Sequence, residues 1–539
     1  MFHRSLVFFL ICISAPALAQ KFYPDDPIDT DRDDLPIDKP GTVELSPTYD
    51  LLENTFARPE LPAVVPRAVN VNTLGKVPNS SWFENRIGAH AMTLEELARG
   101  PNWEPPPRPP YRVIAGKASG ITPGFTIRDA GGRVFFVKFD PMEHPNLSTG
   151  ADIISKNFFY AIGYHVPAAY LFYPRLEDLS VEPGAKVRLK GKETAPLDES
   201  FLRSTLDDAA HQPDGRVRAL ASLSVPGEAV GPFQFLGTRP DDPNDVFPHE
   251  DRRELRGYRV FCAWLNHDDS RAINTLDTFV RDGAGGHLRH YLIDFGSTLG
   301  SGSDHLRRVA PQDPRGGNEY IVDFDPIWRA AYSFGILDRP WRAIDYPYPR
   351  YAEIGRIESE HFDPALWKPE YPNPAFDRML ADDAFWAARI VSRFSDEAIR
   401  TIVSTGEYLS LQAERYLADT LIQRRDKIVE HYYRQLDPVV DFSAKEFLEF
   451  RHLGVERGLG DVQAYEYEWF AFDNDTGEST PLGLRGRVTT PRIPLPDSDS
   501  PYLEVRVHVI SQTESGWRLP VDVYLRGREV VGIEREIPE

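Results

Sequence analysis

The stretch His267-Asp268-Asp269-Ser270-Arg271-Ala272-Ile273-Asn274, followed by Tyr291-Leu292-Ile293-Asp294-Phe295-Gly296, decides the reading of this chain. Asp269, Asn274 and Asp294 carry side-chain oxygens that accept protons or ligate hard cations. Two strand-like runs lie between them, Thr275 to Arg281 and Leu288 to Ile293, joined by Asp282-Gly283-Ala284-Gly285-Gly286, a strong turn signal. A turn centred on Ala284 sets Asn274 opposite Asp294 at the open end of the hairpin, where the two can share a cation. Asp269 then lies one short loop away. A helix from Arg252 to Asn266, with Leu255, Tyr258, Cys262 and Leu265 at helical spacing, leads into this segment.

Upstream, the period is that of strands: Tyr111 to Ala115, Phe125 to Arg128 and Arg133 to Phe139, the last two joined by the hairpin turn Asp129-Ala130-Gly131-Gly132. Lys138 sits in Val134-Phe135-Phe136-Val137-Lys138-Phe139, where an ammonium is costly without an anionic partner. Gly116, Gly120 and Gly124 lie between the first two strands, where they either turn the chain or let backbone N–H groups approach phosphates. A helix is expected from Ala151 to Ile162, stopped by Gly163, with Asp152 in its first turn. Thr149, three residues before Asp152, also spells a capping box, in which the carboxylate holds only the helix start. Residues 168 to 173 read as a further strand.

His267-Asp268-Asp269 through Asn274 resembles the H-R-D-x-x-x-x-N catalytic loop with Asp in the Arg position, and Asp294-Phe295-Gly296 matches D-F-G. The pattern is similar to the atypical kinases, the HipA-like, CotH-like and phosphoinositide-kinase-like proteins. Gly163-Tyr164-His165-Val166-Pro167 looks like the turn after the corresponding helix in HipA-like chains. The resemblance implies an α+β, bilobal kinase-like fold, with an antiparallel N-lobe sheet over 111–175 and a helical C-lobe over 176–440. It implies that Asp269 orients or deprotonates an acceptor hydroxyl, and that Asn274 and Asp294 hold Mg²⁺ or Mn²⁺ on the phosphates of ATP. Lys138 would pair those phosphates, held by Asp152 in place of the usual Glu, with Gly116, Gly120 and Gly124 in the phosphate-covering loop. No clear A-P-E element follows Gly296. The acceptor stays open among protein, lipid head group, sugar and small molecule, and AMP transfer is compatible with the same site. A pseudokinase-like binding or scaffold protein is the alternative.

Around this centre, 539 residues with 41% hydrophobic and 12% aromatic content fill real cores, which a disordered chain does not. A net charge of -21 repels phosphate backbones and argues against nucleic acid as a partner. His3 and Arg4, an apolar run and Ala17-Leu18-Ala19 read as a signal peptide over 1–19, cleaved before Gln20, so an exported, periplasmic or extracellular protein is expected. No transmembrane segment is expected, and Cys262 is left without an intramolecular disulfide partner. Residues 20–110 hold fifteen prolines and an acidic start, and read as an extended arm, disordered or wrapping. Asn79-Ser80-Ser81-Trp82-Phe83 within it is too aromatic for a free linker. Residues 322 to 436 are mainly helical, the clearest helix running from Leu409 to Leu436. Beyond it, Leu503, Val505, Val507 and Val509 alternate with polar residues in a C-terminal all-β domain over 441–539. No HExxH, paired CxxC or G-x-S-x-G supports a zinc hydrolase or serine esterase.

Overall fold

The computed structural model describes residues 20–57, 61–117, 124–189, 194–302, 317–335, 351 and 353–538. The expected signal peptide and Gly120 lie outside them. The chain divides into two compact units, one from the described residues of Met1–Ile28 with Asn72–Gly75 and Asp437–Glu536, the other from Asp29–Val71 and Lys76–Leu436 with the last residues.

In the larger unit, the short helices α1 (Pro47–Leu52) and α2 (Leu94–Arg99) precede a seven-stranded sheet. Its strands are β1 (Tyr111–Lys117), β2 (Gly124–Arg128), β3 (Val134–Phe139), β4 (Ala169–Phe172), β5 (Leu179–Arg188), β6 (Thr194–Pro196) and β7 (Ala219–Leu223). They lie in the order β4-β7-β3-β2-β1-β5-β6, antiparallel throughout except for β1 on β5. Strand alternation sends Phe135, Val137 and Phe139 of β3 into one buried layer with Val113 and Ile127. Lys138 falls on the opposite face. Its register partner Leu220 packs there with Ala169 and with Ile153 of helix α3 (Leu147–Ile162). Helix α4 (Glu199–Asp207) buries Leu202 and Leu206 in the first layer.

Helix α3 begins four residues before the sequence reading places it. Its start is held from outside, because Asp140 accepts hydrogen bonds from the Asn146 and Thr149 backbone at 3.0 and 2.8 Å and from Thr149 Oγ1 at 2.6 Å. Asp152 is therefore in the second turn, and the capping-box alternative falls.

After β8 (Glu228–Gly231), helix α5 (Arg253–Leu265) is buried on nearly all sides and ends at Asn266 in a left-handed conformation. It delivers the chain into the His267–Asn274 stretch and then into β9 (Thr275–Asp282) and β10 (Gly285–Leu292), which form the sheet β10-β9-β8. Helices α6 (Phe324–Tyr332), α7 (Pro374–Asp377), α8 (Ala381–Val391), α9 (Asp396–Ser404) and α10 (Leu411–Tyr433) follow. Trp264 of α5 stacks edge-on against Phe158 and Phe394 and donates from Nε1 to Leu421 O at 2.9 Å, which ties α5 to α3 and α10.

The arm segments of this unit run along its surface. Ile37 exchanges backbone hydrogen bonds with Gly286 at 2.7 and 3.2 Å, and Val43 N donates to Val230 O at 2.9 Å. Trp82 and Phe83 are buried, Trp82 stacked on His290 with ring centroids 3.5 Å apart.

The smaller unit is all-β apart from α11 (Leu453–Glu456) and one 3-10 turn. It contains β11 (Val439–Ala444), β12 (Phe447–His452), β13 (Ala464–Phe472), β14 (Ser479–Val488), β15 (Arg492–Pro494), β16 (Tyr502–Ile510), β17 (Val521–Arg526) and β18 (Glu529–Arg535). They form a three-stranded sheet, β11-β12-β15, and a five-stranded one, β14-β13-β16-β17-β18. Trp469, Trp517 and the alternating Leu503, Val505, Val507 and Val509 fill the core. The α+β class and the C-terminal all-β region are thus as the sequence implies. Among the described residues, no helix is long and apolar enough to cross a membrane.

Candidate functional site

Strand alternation aims Lys138 away from the apolar layer, and the structure supplies the anions its position demands. Nζ donates to Asp294 Oδ1 at 2.6 Å and lies 4.0 Å from Asp152 Oδ2. The nearest acid is Asp294 rather than Asp152, which stands behind it on α3. The Asp294 side chain is 46% exposed and that of Lys138 30%, so the pair is reached from solvent. Burial works against the Lys138 charge, but Asp294 and then Asp152 outweigh it and hold the amine above its ordinary pKa. Burial also pushes Asp294 upward, and Lys138 overcomes it, so Asp294 titrates below the ordinary carboxylate. Asp152 is different. Desolvation outweighs the attraction of Lys138 and lifts it to about 6.

The hairpin register differs from the expected one by a single residue. Asp282 pairs with Gly285, so Gly283 and Ala284 form a two-residue turn. Asn274 consequently comes opposite Ile293, whose N–H donates to Asn274 O at 3.0 Å, and Asp294 lies beyond the ladder. Because one residue of slip reverses the face, Asp294 would point away from its expected position in an extended strand. Instead it takes a left-handed conformation, with φ of 62°, which leaves strand alternation and brings its carboxylate to Lys138.

Asn274 closes the turn that follows Asp269. Its Nδ2 donates to Asp269 O at 2.7 Å and its backbone N to Arg271 O at 3.0 Å, so Oδ1 is the atom that can ligate. Asp269 is buried and ion-paired with Arg271, whose guanidinium also lies 3.7 Å from Glu370. Arg271 was given no role by sequence; a cation two residues after the acid was the available signal. Phe159 of α3, Phe295 and His267 gather their rings, Phe159 on Phe295 at 5.1 Å and His267 at 5.8–5.9 Å from both. His267 thereby positions the loop. Asp152 accepts from the Phe295 backbone, and Ser155 Oγ lies 2.6 Å from Thr298 Oγ1, so α3 is latched to the segment carrying Asp294. The Ser155–Thr298 contact had no sequence signal.

The glycines have packing reasons of their own. A Cβ on Gly124 would stand 2.3 Å from Val137 O, and one on Gly116 would meet Phe201 and Leu197 at 2.7 and 2.8 Å.

The donor chemistry fits a hard cation carried by phosphate. Asp294 and Asn274 offer oxygen from adjacent hairpin positions, and Asp294 stays ionised and accessible. Among the described residues no group of three His, Cys, Asp or Glu side chains is assembled as a metal site. A cation here would take its remaining ligands from phosphate and water, as Mg²⁺ does in nucleotide sites.

No protein-family model matches the chain, and the comparison with curated proteins found no match. Among solved structures, the proinflammatory kinase CtkA of Helicobacter pylori is 12% identical, over 58% of this chain and 92% of that one, with a TM-score of 0.31. Hydra Fam20, solved with a sugar, is 10% identical over 60% and 86% of the two chains, with a TM-score of 0.29. Superpositions this loose carry no assignment, which rests on the residue geometry.

Proposed function

We propose that this chain is an exported atypical kinase-like phosphotransferase that uses ATP with Mg²⁺ or Mn²⁺ to modify a hydroxyl acceptor. The observation that carries the reading is the Lys138–Asp294 contact of 2.6 Å with Asp152 behind it, because it joins the sheet, α3 and the segment after β10 at one place. When bound, the metal neutralises charge on the donor phosphates. With nucleotide bound, Lys138 would pair with a phosphate oxygen, and Asp294 and Asn274 would hold the cation through their side-chain oxygens. Asp152 keeps the ammonium in place. Asp269 orients the acceptor hydroxyl and takes its proton, while Arg271 fixes the carboxylate.

A pseudokinase-like binding protein is the second reading, favoured by one feature: Asp269 is already engaged by Arg271. The two separate in a transfer assay. Mass spectrometry of the protein incubated with ATP and Mg²⁺ or Mn²⁺ should reveal added phosphate, or added AMP if the donor is cleaved at its α-phosphate. Asp269→Ala should abolish transfer while retaining nucleotide affinity, whereas Asp294→Ala should lose both. Nucleotide binding without transfer to any acceptor would favour the second reading.

A further inference from the structure

A cavity of about 400 Å³, the size of small-molecule sites, opens in the larger unit. Trp103 of the arm, Tyr160 of α3, residues 165–168 and 224–226, and Arg289 and Tyr291 of β10 line it. None of Lys138, Asp152, Asp269, Asn274 and Asp294 does, so it is a different place from the centre described above. Its walls are fixed in advance. Asn102 Nδ2 donates to Ala169 O at 2.8 Å, Ala169 N donates back to Asn102 Oδ1 at 3.0 Å, and Trp103 Nε1 donates to Tyr160 Oη at 3.2 Å. Trp103 stays 68% exposed although the Arg99 guanidinium lies 3.6 Å from its ring centroid, so the indole is held in place with a face left for a ligand.

Two acids line this cavity, and each already has an arginine: Glu84 pairs with Arg86 at 2.6 Å and Glu104 with Arg133 at 3.3 Å. Arg289 has no carboxylate partner among the described residues, and its buried Nε meets no hydrogen-bond acceptor there. The Tyr291 side chain is its polar neighbour. His165 adds no charge, because desolvation, then the fields of Arg86 and Arg289, push its pKa down to about 3. The unbalanced charge of the cavity is therefore positive. The -21 of the whole chain does not cancel it, since exposed charges beyond about 8 Å are largely screened at physiological ionic strength.

The rest of the lining narrows the ligand. Pro101, Pro167 and Pro226 carry no N–H, so the walls offer few backbone donors to an extended peptide and recognition falls to side chains. Glu84 and Glu104 are exposed acceptors that call for hydroxyl donors, which a simple aromatic acid lacks. We propose that this cavity binds an acidic saccharide, a ligand that unites a carboxylate, hydroxyls and a flat C–H face. Its carboxylate pairs with Arg289, a charge-assisted contact that also satisfies the buried Nε. A pyranose ring lays its C–H face on the Trp103 indole, whose π-face carries partial negative charge. Ring hydroxyls donate to Glu84 and Glu104. No covalent step is involved, and the inference stands apart from the transfer reaction proposed above.

The test is calorimetric titration of the full chain with digalacturonate and with galactobiose of the same linkage, its neutral counterpart, at about 0.15 M salt. Digalacturonate should bind about tenfold tighter or more. Arg289→Gln should bring the two sugars to equal affinity, and Trp103→Ala should weaken both by about tenfold. Melting temperatures of the unliganded variants within about 2 °C of the wild type show that they fold. Trp103 is exposed, so Trp103→Ala carries the test alone if Arg289→Gln melts early. Equal affinity of the wild type for both sugars, no heat from either at millimolar concentration, or a digalacturonate affinity unchanged in Trp103→Ala would overturn the inference, as would a preference retained in folded Arg289→Gln. Displacement of digalacturonate by phenylacetate or by a Glu-Glu-Glu peptide at equal concentration would overturn the saccharide assignment.

Discussion

Lys138 sits where three requirements meet: a central strand, a face that alternation turns away from the apolar layer, and two carboxylates within 4.0 Å. Lys138→Met keeps the length and removes the charge, so folding should survive while affinity for Mg²⁺-ATP falls about ten- to hundredfold, measured by calorimetric titration. Asp152 adds a pH signature. Its folded pKa of about 6 stands above the ordinary 3.8, so the folded protein keeps a proton that the unfolded chain releases. The stability this confers is present below the lower value and is lost as pH rises through the higher one, by about 3 kcal/mol at most. Asp152→Asn should flatten that part of the urea-midpoint profile. The candidate residues were legible because residue types at fixed spacing need no register, whereas Arg271 escaped because a charged loop residue has many ordinary roles. The conformation of Asp294 was not legible, since a left-handed turn at a non-glycine residue goes with a contact distant in sequence, here with Lys138.

At the scale of elements, the centre depends on α3 and the segment after β10 moving as one piece. Ser155→Ala and Thr298→Val should each destabilise by about 1 kcal/mol, and the double variant should lose less than their sum, because both remove the same buried contact at 2.6 Å. Additive losses would show that the latch is not shared. Several elements were hidden for identifiable reasons. Strand β5 carries Pro183 and Gly184 and mostly exposed positions, and β7 is Ala-Leu-Ala-Ser-Leu, so neither shows a period-2 pattern of β-formers. Asp140 caps α3 from the end of β3, too far back for a local capping signal. The glycine-rich turn between β9 and β10 admits more than one closure, so its composition leaves the register open by one residue.

At the scale of the molecule, each unit is completed by pieces of the chain distant in sequence. In the smaller one, Phe22 is buried against Phe472 and Tyr524, with centroids at 5.9 and 5.2 Å, and a Cβ on Gly532 would collide with its ring. Phe22→Ala should therefore cost this unit about 3–4 kcal/mol in denaturant unfolding. Proline and aspartate content left open whether the arm is disordered or wrapping, because an arm that borrows its hydrogen bonds and its core from elsewhere has no pattern of its own. Phosphotransfer requires Lys138, Asp294 and Asn274 to form a metal-nucleotide site. The most direct measurement is the melting temperature with and without ATP and Mg²⁺ or Mn²⁺, for the wild type and Asp294→Asn. A rise of roughly 3–5 °C is expected in the wild type and little in the variant, by mass action on the folded state. A wild-type curve unmoved by ATP or any other nucleotide with either metal, or a full shift retained in Asp294→Asn, would contradict it.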